Sequence, residues 1–352
     1  MTSVTDNGLS KRYQNYLFNF SSSYNGGGLK RLLAFIKWFN SNGGAHFIVH
    51  NNLRKKLDHS DKNHFHFVGI SRFKKTINDQ KYVYEIIEKM GVCDFYYSYN
   101  IPVKRIPANK RWFHLSNVLP LVSTSKFNIP RVRRLELWWL GVLTRACLKN
   151  CDFVSAESFF SGDILNLDNS AKFHVSINGS DEELKAISFN KPRIPKENIA
   201  VVVGTYHHKN LEDSFKIFSK LRTQNRELKL LIFGETLSIP EFIMRDPDVK
   251  VFGVTNHNEV INFLSRAKFY INTSRIENSW NAAAEGLYLA EESFISKIPP
   301  HEELLQGIKF DELTDFGTYD SILWTSQKNL ITLKLESWDQ VITSMNQFKE
   351  DN

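Results

Sequence analysis

The sequence predicts an α/β protein with two domains, each built on a parallel sheet. Short apolar runs with the length of buried strands alternate with segments of helical spacing along most of the chain. This alternation favours parallel strands that are covered by helices on both faces. At 352 residues the chain exceeds what one core usually serves, and its 42% apolar content is enough for two cores.

The boundary between the two domains is predicted near residue 182. Residues 181–198, DEELKAISFNKPRIPKEN, lose the alternation of strands and helices and contain two prolines, which is typical of a hinge. We therefore assign residues 1–182 to the first domain and residues 183–335 to the second. Residues 336–352 form a separate final segment, which has a helical pattern of apolar residues.

Two carboxylates that stand eight residues apart, Glu277 and Glu285, are the most informative pair in the chain. Residues 267–272 have the apolar pattern of a buried strand, and residues 279–289 have the composition of a helix. Glu277 then lies at the helix N-terminus, where unpaired backbone N–H groups hold phosphate, and Glu285 lies about two turns inside. One carboxylate is placed to reach a sugar and the other a ribose. The alternative is a surface glutamate followed by an ordinary helical one.

Several strands that end in glycine precede this pair. The predicted elements are a strand at 199–203 followed by Gly204, a helix at 211–221, a strand at 228–234, a strand at 249–253, a helix at 258–266 and a strand at 269–272. Lys209 lies between the first strand and the first helix. In order and spacing, these elements resemble the donor-binding half of retaining glycosyltransferases with the GT-B fold, particularly glycosyltransferase family 4.

The resemblance implies a fold and an activity. The fold is GT-B, an α/β architecture with two Rossmann-like domains that face each other across a cleft, and residues 336–352 are expected to pack back on the first domain. The activity is that of a retaining hexosyltransferase, which moves a sugar from a nucleotide diphosphate sugar to an acceptor hydroxyl. A carbohydrate or lipid-linked acceptor is expected, in the assembly of a bacterial cell-surface polysaccharide or glycolipid such as lipopolysaccharide or capsule. No cofactor beyond the donor substrate is implied.

The resemblance also assigns site residues in the second domain. Lys209 is expected to contact the donor diphosphate, Glu277 to orient the sugar hydroxyls and Glu285 to bind the ribose. The other expected donor-binding residues are Gly204, Thr205, Asn278, Ser279 and Trp280.

Four of these residues depart from the family pattern. Thr205 stands where the family usually has arginine, and Asn278, Ser279 and Trp280 replace a glycine-rich turn. These departures keep a second hypothesis open, namely a degenerate, non-catalytic glycosyltransferase-like partner subunit. A sugar phosphorylase or a nucleotide-sugar epimerase of the same fold is a further alternative.

The first domain contributes two further candidates. Gly26, Gly27 and Gly28, the glycine-rich turn, join a strand at 16–20 to a helix at 29–40, and glycines there let the backbone approach a ligand closely. His114 ends a strand predicted to begin at residue 111. The resemblance places the turn over the donor phosphates and His114 against the donor sugar as a catalytic residue. The alternatives are a flexible connector and a structural histidine.

Charge is divided unevenly between the two parts of the chain. Residues 1–180 hold 25 Lys and Arg against 12 Asp and Glu. Within them, Arg131, Arg133 and Arg134 precede Trp138 and Trp139, a combination that suits the surface of an anionic membrane or an acidic acceptor. A helix that buries both tryptophans between the domains is the alternative, and the absence of a recognition motif argues against nucleic acid.

Neither a membrane span nor a signal peptide is predicted. The longest apolar runs are far shorter than the roughly 20 residues that a spanning helix requires, and the first 12 residues are polar. A cytoplasmic protein is therefore expected, with peripheral attachment to the inner face of the cytoplasmic membrane.

Three short patterns imitate metal sites. Asp246 and Asp248 form a D-x-D motif but are predicted to lie in a surface turn. His64 and His66 alternate along a predicted strand without a third ligand nearby in the sequence, and the CxxxC spacing of 147–151 indicates core packing. We therefore predict no metal.

Overall fold

The computed structural model divides the chain into two compact units. It describes residues 13–57, 62–69, 80–124, 129–167, 169–180, 195–330 and 335–351. The first unit takes its residues from 1–123, 130–179 and 337–352, and the second from 124–129 and 180–336. The predicted domain boundary at residue 182 lies outside the described residues.

A seven-stranded parallel sheet forms the centre of the first unit. Its strands are β1 Tyr16–Asn19, β2 His46–His50, β3 His64–Val68, β4 Phe95–Tyr99, β5 Lys110–Leu115, β6 Phe153–Ala156 and β7 Phe173–Val175. They lie in the order β3-β2-β1-β4-β5-β6-β7, and all neighbouring pairs are parallel. Because both faces of such a sheet are covered, its strands are nearly continuous apolar runs.

Helices of the first unit cover this sheet with their apolar faces. They are α1 Gly26–Ser41, α2 Lys81–Met90, α3 Arg131–Cys147 and α4 Phe159–Ile164. In α1, Phe35 and Phe39 are four residues apart and fully buried, as expected for one face of a helix. They pack against Phe18 and Phe47 of the sheet in a core that is rich in aromatic rings.

The second unit also contains a seven-stranded sheet, but with a mixed edge. Its strands are β8 Glu197–Val203, β9 Lys229–Phe233, β10 Val249–Gly253, β11 Ala267–Asn272, β12 Glu292–Ser296, β13 Asp311–Leu313 and β14 Ile322–Ser326. The order is β10-β9-β8-β11-β12-β14-β13. The first five strands in this order are parallel, whereas β14 runs antiparallel to both β12 and β13. The predicted parallel sheets are therefore confirmed, with an antiparallel addition at this edge of the second sheet.

Helices α5 to α9 belong to the second unit. Their bounds are α5 Leu211–Gln224, α6 Glu241–Met244, α7 His257–Arg266, α8 Asn281–Leu289 and α9 Pro299–Leu305. Ile217 and Phe218 of α5 are fully buried against the sheet.

The last described helix, α10 Trp338–Asp351, belongs to the first unit although it follows the second in the chain. Ile342 and Met345 are buried in the same core as α1. The ring of Phe348 lies 5.8 Å from that of Trp112 and 6.0 Å from that of Phe153. The helix therefore completes the apolar cover of this sheet.

Several predicted elements are confirmed with small changes at their ends. The strand predicted at 267–272 has these bounds in the structure, and the helix predicted at 279–289 begins at Asn281. The helix predicted at 29–40 begins earlier, at Gly26, so the glycine-rich turn is itself the first turn of α1.

Candidate functional site

The candidate residues of the second unit lie beyond the carboxyl ends of its parallel strands. Strand β8 leads into Gly204 and Lys209, and the neighbouring strand β11 leads into Glu277. The chain runs from β8 to β9 on one side and returns to β11 on the other. Ligands of open α/β sheets bind at such a reversal of strand order.

Lys209 and Glu277 form an ion pair at this point. The Lys209 Nζ lies 2.5 Å from Glu277 Oε1, and the two side chains are only 13% and 16% exposed. Burial alone would raise the pKa of Glu277, but Lys209 and also His208 outweigh it and hold the pKa below its ordinary value. The carboxylate therefore stays ionised at neutral pH, and the ammonium stays close to it.

Gly204 makes room for the stem of Lys209. Its φ is +92°, and a Cβ there would lie 3.0 Å from Lys209 Cε. Thr205, which stands in place of the family's arginine, is 2% exposed. Its hydroxyl donates to Glu235 O at 2.8 Å, so this side chain fixes the loop after β9.

The helix N-terminus after β11 is a second feature of the site. Asn278 and Trp280 are 8% and 7% exposed. Trp280 occupies the N-cap position of α8, and among the described residues its side chain makes no capping hydrogen bond. The first N–H groups of a helix favour an anion when no side chain caps them.

Glu285 lies in the second turn of α8, as predicted. Its Oε1 is 3.3 Å from Nε2 of His257, the first residue of α7. His257 was not predicted from the sequence as a site residue, because it becomes a neighbour of Glu285 only when α7 and α8 pack together.

In the first unit, the glycine-rich turn packs tightly against its neighbours. Gly26 has a φ of +58°. A Cβ on Gly28 would lie 3.0 Å from Tyr99 Cε1 and 3.1 Å from Ser23 Oγ. Larger residues at position 28 would therefore displace the turn.

His114 is the last residue but one of β5, which ends at Leu115, and it is fully buried. Its Nε2 lies 2.6 Å from an NH1 of Arg31, and its Nδ1 lies 2.7 Å from Ser155 Oγ. Burial, and then the charge of Arg31, lower its pKa well below the ordinary value. Direct contact of this ring with a donor sugar stays a prediction, since both nitrogens already have partners here.

Arg31 and Glu157 lie beside His114, and neither was predicted from the sequence as a site residue. Arg31 is fully buried and Glu157 is 4% exposed. A signal was available, because Arg31 precedes Phe35 and Phe39 at intervals of four residues and so shares their core-facing side of α1.

The proposed membrane residues lie on α3, and both tryptophans are exposed. Trp138 is 60% and Trp139 is 41% exposed, and they continue an apolar stripe with Val132 and Leu135, which are 72% and 66% exposed. Arg133 is partly held by Glu136, with NH1 2.9 Å from Oε2. In the part of the chain that the structure describes, no helix has the length and apolar character needed to cross a membrane.

The patterns that imitate metal sites have protein partners. Asp246 and Asp248 both bind NH1 of Arg222, at 2.8 and 3.0 Å. His66 Nε2 lies 3.0 Å from Nδ1 of His46, a neighbour from β2 that the sequence analysis missed.

The two cysteines with CxxxC spacing are buried and not oxidised to a disulfide. The thiol of Cys151 donates to the backbone oxygen of Cys147 at 3.2 Å. Both residues therefore serve packing, as the spacing predicts.

Comparison with solved structures identifies the fold. Sucrose-phosphate synthase from Thermosynechococcus elongatus matches with a TM-score of 0.62 and 11% identity, over 96% of this chain and 98% of that one. WaaG, a glycosyltransferase involved in lipopolysaccharide biosynthesis, matches with a TM-score of 0.59 and 12% identity, over 83% of each chain. An α,α-trehalose-phosphate synthase (UDP-forming) from Burkholderia vietnamiensis matches with a TM-score of 0.57 and 9% identity, over 84% and 86%.

These neighbours are GT-B glycosyltransferases, and the α/β GT-B fold predicted from the sequence is confirmed. Neither a scan against protein-family models nor a search of curated protein sequences finds a match.

Proposed function

We propose that the protein transfers a sugar from a nucleotide diphosphate sugar to an acceptor hydroxyl and retains the anomeric configuration. The observation that carries this proposal is the ion pair between Lys209 and Glu277, which lies beyond the ends of β8 and β11 beside the N-terminus of α8. A cation and a helix N-terminus suit a diphosphate, and a carboxylate beside them suits sugar hydroxyls.

In the proposed reaction, the bond between the anomeric carbon and the diphosphate oxygen breaks as the acceptor oxygen forms its own bond on the same face of the sugar. The acceptor proton passes to the leaving diphosphate, so no protein nucleophile is needed. Lys209, the N-terminus of α8 and the glycine-rich turn stabilise the negative charge that grows on the diphosphate. Glu277 accepts hydrogen bonds from the sugar hydroxyls.

A donor screen tests the proposal. Thermal unfolding of the purified protein is measured with UDP-, GDP- and ADP-sugars, because a bound ligand stabilises the folded state as its concentration exceeds its dissociation constant. UDP-glucose is the first candidate, since one structural neighbour is described as UDP-forming. Release of the nucleotide diphosphate is then followed with sugar and lipid-linked acceptors.

The same assay separates the competing functions. The buried Thr205 in place of arginine motivates a non-catalytic partner subunit, which would bind a donor without hydrolysis or transfer. A phosphorylase would require phosphate as the acceptor, and an epimerase would convert the donor sugar without any acceptor.

Substitution of Glu285 with alanine is expected to weaken donor binding by about 1–3 kcal/mol, because it removes the acceptor proposed for the ribose hydroxyls. Titration calorimetry with the free nucleotide measures this loss. His257→Ala is the companion variant, since it removes the 3.3 Å neighbour of the carboxylate and leaves the carboxylate itself. Nucleotide affinity unchanged in Glu285→Ala would contradict the role of Glu285.

We further propose that the acceptor is lipid-linked and that α3 attaches the protein to an anionic membrane. The exposed tryptophans and the neighbouring arginines suit the headgroup region. We also propose a role in the cytoplasmic assembly of a cell-surface polysaccharide or glycolipid, which the involvement of the neighbour WaaG in lipopolysaccharide biosynthesis supports.

Vesicle co-sedimentation measures this attachment. Binding is expected to rise with anionic lipid, to fall with salt and to drop when Arg131, Arg133 and Arg134 become glutamine, because each basic residue near the surface contributes about 1 kcal/mol. Glutamine at three exposed lysines elsewhere in the first unit, Lys37, Lys81 and Lys89, is the matched control and should have a smaller effect. Indifference to lipid charge would favour a soluble acceptor.

A chelator is expected to leave the transfer rate nearly unaltered, since Lys209 supplies the charge that a divalent ion would supply in other enzymes. Initial rates are compared with and without EDTA. Loss of activity with EDTA and its rescue by manganese would contradict this expectation and would return Asp246 and Asp248 to consideration.

A further inference from the structure

A cluster of buried polar side chains lies next to the glycine-rich turn of the first unit. Arg31 of α1 has no exposed surface, and Glu157, directly after β6, has almost none. Arginine and glutamate are rarely buried to this degree unless they are paired. Arg31 NH1 and Glu157 Oε1 are nevertheless 3.9 Å apart, too far for a hydrogen bond. The guanidinium therefore donates its hydrogen bonds elsewhere.

Arg31 donates to two neighbours, His114 in β5 and Ser176 directly after β7. NH1 lies 2.6 Å from His114 Nε2, and NH2 lies 2.5 Å from Ser176 Oγ. Because a guanidinium only donates, the Nε2 of His114 accepts, and the proton of the neutral imidazole is on Nδ1. This proton is directed to Ser155 Oγ, at 2.7 Å. Arg31 thus selects one tautomer of His114.

The same cluster supports the glycine-rich turn. The Nδ2 of Asn178 donates to Glu157 Oε1 at 2.9 Å, and this Nδ2 lies 3.8 Å from where a Cβ on Gly27 would be. On the other side, the ring of Tyr99 stacks on His114 with centroids 5.3 Å apart and limits the space at the next glycine of the turn. Asn178 and Tyr99 therefore lie beside Gly27 and Gly28, and each also contacts a member of the cluster.

We propose that Arg31 and Glu157 are positioning residues: Arg31 holds His114 as the Nδ1–H tautomer, and Glu157, through Asn178, sets the glycine-rich turn for the donor diphosphate. Neither residue touches the substrate in this proposal. The part that concerns the diphosphate rests on the proposed function, whereas the tautomer of His114 does not.

The charged groups around His114 determine how its protonation depends on pH, and the proposed role of Arg31 can be tested in this way. The titratable and charged groups that face its ring are Arg31 of α1, Tyr97 and Tyr99 of β4, Glu157 after β6 and His174 of β7. Once Arg31 is removed, the carboxylate of Glu157 is left 3.6 Å from Nε2, where it favours an imidazolium. The pKa of His114 should therefore be higher without Arg31 than in the parent, in which burial and the charge of Arg31 both lower it.

The test combines NMR of the histidine rings with donor kinetics on the full chain. In the parent, the ¹⁵N resonances of His114, assigned by their absence in His114→Gln, should show the Nδ1–H pattern unchanged from pH 8 to 5. Arg31→Met should make them titrate within this range and should raise the donor KM about tenfold or more, with a smaller change in kcat. Arg31→Lys keeps the positive charge and should have a donor KM between that of the parent and that of Arg31→Met.

Two more variants complete the experiment. Glu157→Gln should raise the donor KM while His114 keeps its Nδ1–H pattern, and this result remains informative if Arg31→Met fails to fold. Arg111→Met is the matched control, because it breaks an ion pair of the same unit, with Nε 3.2 Å from Asp152, without touching the cluster.

Two results would overturn the proposal. One is a His114 spectrum in Arg31→Met that stays unchanged with pH. The other is a donor KM in both Arg31→Met and Glu157→Gln no different from that of Arg111→Met. A parent protein with no donor affinity would contradict the proposed function instead, and the NMR result would still decide the tautomer.

Discussion

Replacing Lys209 with alanine is expected to lower the turnover of sugar transfer by about a hundredfold or more, the usual cost of removing one preorganised charge stabiliser. The Lys209 ammonium lies 2.5 Å from Glu277, and both side chains have little exposed surface. A charge that is shielded from water acts strongly on a leaving diphosphate. Initial rates of diphosphate release, measured with the donor found in the thermal screen, give the loss directly.

Lys220→Ala is the control for this variant. It removes a lysine of α5 that pairs with Asp315 on the surface of the same unit, where ion pairs contribute little. Lys209→Ala with a rate within about twofold of this control would remove Lys209 from the site, because such a difference is far below the loss of a charge stabiliser.

Glu277→Gln is expected to have a comparable effect, with turnover reduced by about a hundredfold. Glutamine keeps the size of the side chain but removes the charge that Lys209 holds ionised. The sugar hydroxyls then lose a strong acceptor, and the ammonium is left without its counter-ion in a poorly hydrated site. Single-turnover rates separate this loss from weaker donor binding.

The double variant tests whether the two residues act as a unit. If they do, Lys209→Ala combined with Glu277→Gln should be no slower than the slower single variant, because residues that act together are far from additive. Glu241→Gln is the control, since Glu241 is exposed and pairs with Arg245, four residues along the chain. Full additivity of the two losses would show that the residues work independently.

The parallel strands were predictable because a short apolar run in the sequence is enough to mark each buried strand. Ala267–Asn272, for example, is an apolar run bounded by polar residues, and its burial on both sides follows from that composition alone. The edge formed by β13 and β14 was not predictable in this way. β13 has only three residues, all at least partly exposed, so it lacks the apolar run that marks a buried strand.

The candidate site was predictable in part for a similar reason. Lys209 and Glu277 both follow strand ends, so their place at one edge of the sheet follows from the order of elements. The burial of Arg31 was missed, because a basic residue in a basic half suggests a surface charge. Its spacing from Phe35 was the evidence against that interpretation.

The return of α10 to the first unit has a consequence for folding during synthesis. Domains usually fold in the order in which they leave the ribosome. Here the second unit, residues 180–336, has been synthesised in full before Ile342 and Phe348 of the first unit exist. Until they arrive, Trp112 and Phe153 lack the aromatic neighbour that α10 supplies. The nascent first unit therefore exposes this apolar surface until α10 is synthesised, and must avoid association with other chains through it. The packing of α10 is then the last folding step for the chain described here.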